Sequence, residues 1–317
     1  MKKIIAVLLA VVIALCTMSG CANTVHKDGK INIITTIFPI FDWTSELTKD
    51  VDNVEVTYLL QSGVDMHSYQ PSVDDIISVS TADMVIYIGG ESDEWIDDAL
   101  REAVNEDIVT VNLIDLLGKS AKKEELVEGM QSKAEDDGID EHVWLSISNA
   151  KKFATAICES LAAVDPENSS IYSKSAAAYL KKLENLRDEF REAIDRADYD
   201  TVVFADRFPF CYLFDEFGLN YFAAFAGCSA ETEANFDTIT FLANKIDELG
   251  IGSIVQTETA DGSIAKTIRE TTKSKNQEIL TLNSMQSVTK DDLMNGATYL
   301  SIMKDNLNVL TKALCKE

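Results

Sequence analysis

Apolar residues along the chain fall in short unbroken runs, separated by stretches in which they recur at every third or fourth position. Runs of the first kind at 31–37, 54–60, 84–88 and 108–113 are strand candidates. Stretches of the second kind at 39–49, 72–80 and 93–104 are helix candidates. A helical tract at 149–164 follows. The theme returns later, with strands expected at 201–205, 220–225, 253–257 and 278–282. Helices are expected near 211–217, 235–249 and 263–273, with a long one around 291–314. Strands alternating with helices predict parallel sheets flanked by helices.

Between the two alternating halves lies a longer pattern. Asp165-Pro166-Glu167 reads as a helix start, with Asp as N-cap and Pro at the first helical position. No Gly or Pro interrupts the chain from there to Ala197. Tyr172, Ala176, Tyr179, Leu183, Leu186, Phe190 and Ile194 form one apolar stripe. About 30 residues at 1.5 Å each give roughly 45 Å, long enough to connect two domains. A chain of 317 residues exceeds the usual single core, so two domains are expected. The division is residues 1–20 signal peptide, 21–30 tether, 31–164 N-terminal lobe, 165–198 connecting helix and 199–317 C-terminal lobe. The fold class is α/β: two mainly parallel sheets joined by one long helix.

The first residues concern location. Lys2 and Lys3 precede an apolar run from Ile4 to Leu15, and Met18-Ser19-Gly20-Cys21 follows. Such a run is shorter than the ~20 residues of a membrane span. Small residues ahead of a cysteine resemble a lipoprotein signal, with Cys21 as the lipidated residue. The mature chain is then expected on the extracytoplasmic face of a membrane. A formal net charge of −25 argues against nucleic acid and anionic lipid headgroups as partners. The lysine-, glutamate- and aspartate-rich segment 118–140 breaks the alternating pattern and reads as a solvated loop or weak helix. A role in gathering cations is the alternative for 122–140. Cys158, Cys211, Cys228 and Cys315 could pair outside the cytoplasm, Cys211 with Cys228 above all, or remain free thiols.

Candidate chemistry rests on three histidines, His26, His67 and His142. His26 belongs to the polar tether. His67, in Gly63-Val64-Asp65-Met66-His67-Ser68-Tyr69-Gln70-Pro71, follows the second strand candidate, where ligands gather in open α/β sheets. His142 sits in Asp140-Glu141-His142-Val143-Trp144-Leu145. Imidazole is the commonest transition-metal ligand.

These motifs, in their order and spacing, resemble the zinc/manganese-type solute-binding lipoproteins of bacterial ABC importers (the cluster A-I family). Glu94-Trp95, Tyr212 with Phe217-Gly218-Leu219, and Thr298-Tyr299-Leu300 with Asn306-Leu307 extend the likeness over nearly the whole mature chain. The resemblance implies two α/β lobes joined by one rather rigid helix, and a non-enzymatic protein that delivers a metal to an ABC permease. It implies His67 and His142 as ligands. Two positions depart from the family pattern. Arg207 stands where the zinc type has a third histidine, and an arginine cannot ligate a metal. Asn283 stands where a carboxylate is usual. Asp206 and Glu258 are the candidates to complete the set, with Glu231 and Glu233 behind them. Zinc is the expected ion and manganese the next, since affinity rises from Mn toward Zn at mixed sites. One alternative is a relative with a degenerate metal site, acting as an adhesin or binding another solute. Another is an extracellular hydrolase, for which no nucleophile elbow, His-Glu-x-x-His pair or phosphate-cradling loop is present.

Overall fold

The structure, a computed structural model, describes residues 29–131, 138–229 and 233–316. The signal segment, Cys21, His26 and Glu231 lie outside the described residues. The first sheet holds β1 (Ile31–Thr35), β2 (Val54–Tyr58), β3 (Met84–Tyr87) and β4 (Val109–Asn112) in the order β2-β1-β3-β4. The second holds β5 (Thr201–Phe208), β6 (Asn220–Ala226), β7 (Ser253–Thr257) and β8 (Glu278–Leu282) in the order β6-β5-β7-β8. The pairings among these eight strands are all parallel. Central strands are buried on both faces, as in Met84–Tyr87, which explains why they read as continuous apolar runs. The shared strand order puts a switch point beside β1 in one lobe and β5 in the other. Ligands gather at the carboxyl ends of such strands.

In the N-terminal lobe the helices are α1 (Phe38–Thr48), α2 (Val73–Thr81), α3 (Glu94–Arg101), α4 (Leu113–Leu117) and α5 (Ile147–Val164). The connecting helix α6 runs Ser169–Ile194, about 39 Å at 1.5 Å per residue. It is shorter than expected because Pro166–Asn168 form a 3-10 turn first. Asp165 does not cap it. The Asp165 carboxylate instead accepts from Tyr172 Oη at 2.7 Å and Asn168 Nδ2 at 2.8 Å. The predicted stripe of α6 is buried from Tyr172 to Phe190, and Ile194 is half-buried.

In the C-terminal lobe the helices are α7 (Cys211–Phe217), α8 (Phe236–Leu249), α9 (Ser263–Thr271), α10 (Lys290–Met294) and α11 (Tyr299–Leu314). The last two replace the single helix expected over 291–314. Gly296, at φ +87°, ends the first, and a Thr298–Ser301 capping box starts the second.

The outer face of each sheet has a small core of its own, around Ile34, Val85 and Ile96 in one lobe and Val203, Phe225 and Leu242 in the other. The inner faces share one large core with α6, in which Trp43, Trp144, Tyr179, Phe204 and Tyr299 are buried. Side chains of this size each contribute roughly 1.5–3 kcal/mol by burial. Hydrogen bonds cross the same seam: Tyr299 Oη donates to Trp144 O at 2.8 Å, and Trp144 Nε1 to Ser284 O at 2.9 Å. The seam joins the two lobes directly below their facing loops.

Candidate metal centre

His67 is placed by its own loop. The Asp65 carboxylate accepts from the His67 backbone N–H at 3.0 Å and caps the 3-10 turn Met66–Ser68, whose Met66 side chain is buried. His142 is placed by Asp140, whose Oδ1 accepts from the His142 backbone N–H at 2.8 Å and from its ring Nδ1 at 2.9 Å. The buried turn Val143–Leu145 fixes it from the other side. Glu141 points the opposite way, onto the loop after β3. It accepts from Ser92 N at 2.9 Å and Ser92 Oγ at 2.5 Å, over Gly90, where any Cβ would collide with it.

Proton assignment follows from this network. A carboxylate only accepts, so the single Ser92 hydroxyl proton goes to Glu141. His67 Nδ1, 3.0 Å from Ser92 Oγ, must then donate to that oxygen. His142 Nδ1 donates to Asp140. Both Nδ1 atoms are committed, and both Nε2 atoms are left to face each other at 3.2 Å. Two nitrogens on one tetrahedral zinc, each ~2.0–2.1 Å from the ion, lie about 3.3 Å apart. Without an ion, one ring must carry an extra proton between them. Burial, then the neighbouring His142, pushes His67 down to about 3. Burial also opposes charge on His142, but Asp140, with Glu124 and Glu141, outweighs it and raises that ring's pKa. His142 is therefore the more basic ring of the pair.

Of the remaining sequence candidates, Asp206 borders the same cavity as His67 and Glu258 does not, and both carboxylates are engaged within their own lobe. Asp206 accepts from Thr257 N at 3.3 Å and from the Thr257 hydroxyl. Glu258 accepts from Ser284 N and Oγ, both at 2.8 Å. Among the described residues, neither joins a group of metal-ligating atoms within 4.8 Å of one another. Asn283 is spent on local structure, accepting from Met285 N at 2.8 Å and from Asn306 Nδ2. Arg207 reaches across the cleft to Asp65 at 2.6 Å, tying β5 to the loop that carries His67. A one-residue register shift between Phe204 and Arg207 accompanies this reach.

Two neighbours of the site carry no signal in the sequence pattern. Glu124 comes from the segment read as a solvated loop. Its carboxylate accepts from Gly227 N at 3.2 Å and Cys228 N at 2.8 Å, which pins that segment to the second lobe. Cys228, expected either in a disulfide or as a free thiol and not as a ligand, lies with its sulfur 4.0 Å from His142 Nδ1. All four described cysteines are free thiols. The groups that gather within 4.8 Å are His67, His142 and Cys228, and Glu124, Asp140 and His142. Cavities of about 430 Å³ and 310 Å³ open on either side, both bordered by His67.

Comparison with known proteins agrees with this architecture. The zinc-binding lipoprotein AdcA of Streptococcus pneumoniae R6 is 30% identical over 321 residues, covering 100% of this chain and 62% of AdcA. The chain thus spans less than two thirds of that relative's length. The high-affinity zinc uptake system protein ZnuA of Bacillus subtilis is 27% identical over 306 residues, 95% of this chain and 93% of ZnuA. Among solved structures, the metal-dependent lipoprotein YcdH of B. subtilis superposes with a TM-score of 0.75 at 25% identity, covering 90% of this chain and 100% of that one. The Zn(II)-bound ZnuA-like domain of S. pneumoniae AdcA gives 0.72 at 26% identity, covering 91% and 100%. The pattern of the zinc-uptake complex component A periplasmic family, ZnuA, matches residues 33–313. The chain belongs to this ZnuA family of solute-binding proteins.

Proposed function

We propose that the protein captures a divalent transition metal, zinc first and manganese second, and hands it to an ABC permease. Its ligand set begins with His67 Nε2 and His142 Nε2. The observation that carries this reading is the pair of facing ring nitrogens 3.2 Å apart, each with its Nδ1 hydrogen-bonded elsewhere. Two buried acceptor nitrogens that face each other need a proton or a cation between them, and a metal ion fills that place. Membership of a zinc-uptake family and the names of the relatives support the same cargo and a permease partner. The Ser92–Glu141 pair behind His67 and Asp140 behind His142 fix both tautomers and raise the basicity of the donor nitrogens. The protein's work is binding and release, with no bond made or broken in a substrate.

The Met18-Ser19-Gly20-Cys21 motif and the lipoprotein relatives support a lipid anchor on Cys21 and an extracytoplasmic position. No helix among the described residues is long and apolar enough to cross a membrane. The lobes we infer as functional units are residues 31–164 and 199–317, around the connecting helix.

Metal analysis of the chain purified without chelator, beside His67→Ala and His142→Ala, tests this. Stoichiometric zinc lost in both variants is the expected result. No metal, and no thermal shift on adding zinc or manganese, would sink the reading in favour of a degenerate relative that binds another solute.

A further inference from the structure

The metal site above takes both its histidines from the N-terminal lobe, and the second lobe's carboxylates near it are engaged elsewhere. Asp206 is held by Thr257, Glu258 by Ser284, and Arg207 has no lone pair to offer. One side chain of the second lobe does face the histidines. β6 ends at Ala226, and the Gly227–Cys228 turn brings Cys228 against the His142 ring. The sulfur and one ring nitrogen from each of His67 and His142 lie within 4.8 Å of one another. We propose that the Cys228 thiolate is the third protein ligand of the captured metal, so that the site is His2Cys and closes across the two lobes. This rests on the metal-capture reading.

The turn is built for that approach. A Cβ on Gly227 would lie 2.8 Å from Phe208 O and 3.1 Å from His142 Cε1, so only glycine lets the backbone pass so near the ring. Glu124 holds the turn from behind through the Gly227 and Cys228 amides. It is a positioning residue. A tetrahedral zinc with Zn–S ~2.3 Å and Zn–N ~2.0–2.1 Å places sulfur about 3.6 Å from each nitrogen. The approach of the sulfur is to His142 Nδ1, which Asp140 holds, so the Cys228 side chain must turn about χ1 toward the Nε2 side to reach the ion, starting from a group whose ligand atoms already lie within 4.8 Å of one another. His67 and Cys228 also border one cavity, of about 310 Å³, so an entering ion meets both. On binding, the S–H bond breaks, a metal–sulfur bond forms, and the proton leaves to solvent with no change of oxidation state. A soft thiolate favours zinc over manganese and sets the preference of the site.

Cobalt(II) serves as the probe, since a thiolate ligand gives it a near-ultraviolet charge-transfer band that imidazole and carboxylate do not. The full chain, purified reduced and metal-free, is titrated with cobalt beside Cys228→Ser, Cys211→Ser and Cys158→Ser. The proposal expects stoichiometric cobalt with the band present, and the band lost in Cys228→Ser alone. In parallel, zinc should shield Cys228 of the unmutated chain from alkylation, read by peptide mass, which holds even where a variant fails to fold. Cobalt bound without the band, a band that survives Cys228→Ser, or undiminished alkylation of Cys228 under zinc overturns the thiolate ligand while metal capture stands. Failure of the unmutated chain to bind cobalt or zinc overturns both.

Discussion

Asp140 and Ser92 determine what the histidines can do, because each accepts a hydrogen bond from an Nδ1–H and so aims the opposite nitrogen. Asp140→Asn should therefore weaken zinc binding about 10–100-fold while the fold persists, read by competition with a chromophoric chelator. The raised pKa of His142 carries a second consequence. Below that pKa the metal-free ring holds an extra proton on Nε2, and zinc must expel it. Apparent affinity then falls as pH falls, approaching about tenfold per unit, and binding releases the proton. Calorimetry in buffers of different ionisation enthalpy measures that release, and a proton count independent of pH would contradict the assignment. His67 and His142 were legible as the chain's only histidines beyond the tether. Ser92 and Glu124 were not, since a serine before Glu94-Trp95 and one glutamate among many carry no period or spacing of their own.

Elements deliver these residues, and small irregularities in them matter more than their boundaries. Strands β7 and β8 begin and end where the apolar pattern places them. β5 instead continues to Phe208, with a register shift between Phe204 and Arg207. A sequence pattern reads alternation within one strand, whereas a bulge is a property of two paired strands, so Arg207 could not be assigned to Asp65 in advance. Gly227 has the same character: its lack of a Cβ matters only because His142 and Phe208 lie against it. Gly227→Ala should cost about 1–3 kcal/mol in urea unfolding, as overpacking does, and should displace Cys228 and weaken metal binding as well. An unchanged unfolding midpoint would mean the turn is looser than its contacts imply. The single helix expected around 291–314 passed over Asn295-Gly296 and Thr298, which are the stop and start signals that split it.

At the scale of the whole molecule, the shared core makes the two lobes and α6 one packed body. Its weak point is a buried carboxyl. Burial, with the Glu46 charge adding to it against hydrogen bonds from Tyr299 N and Tyr179 Oη, raises Asp42 to about 6. The folded state thus holds the Asp42 proton more tightly than the unfolded chain. Its contribution to stability is full below the ordinary pKa of 3.8 and is lost as pH rises through about 6. The loss is on the order of 3 kcal/mol. Asp42→Asn should lessen the fall of stability over that window in urea unfolding at stepped pH, with Asp93, raised by burial to about 7, accounting for what remains. An unchanged slope would place the titration elsewhere. Across the cleft, Arg207 ties β5 to Asp65. Metal should accordingly protect the His67 and Cys228 turns from hydrogen exchange and leave α6 unchanged. Protection confined to α6 would argue for a moving hinge instead.

The one-dimensional pattern sufficed for two parallel-sheet lobes, one long helix and the two histidines, because burial period, glycine and proline punctuation and residue scarcity are all local. What completes the site is non-local. Glu124 stands 103 positions from Gly227, and Asp65 142 positions from Arg207, and each pair meets across the two lobes. Only the folded seam decides which of many acidic and cysteine side chains face the histidines. It left Asp206 and Glu258 bonded to their own lobe because the hydroxyls of Thr257 and Ser284 lie within reach of them there.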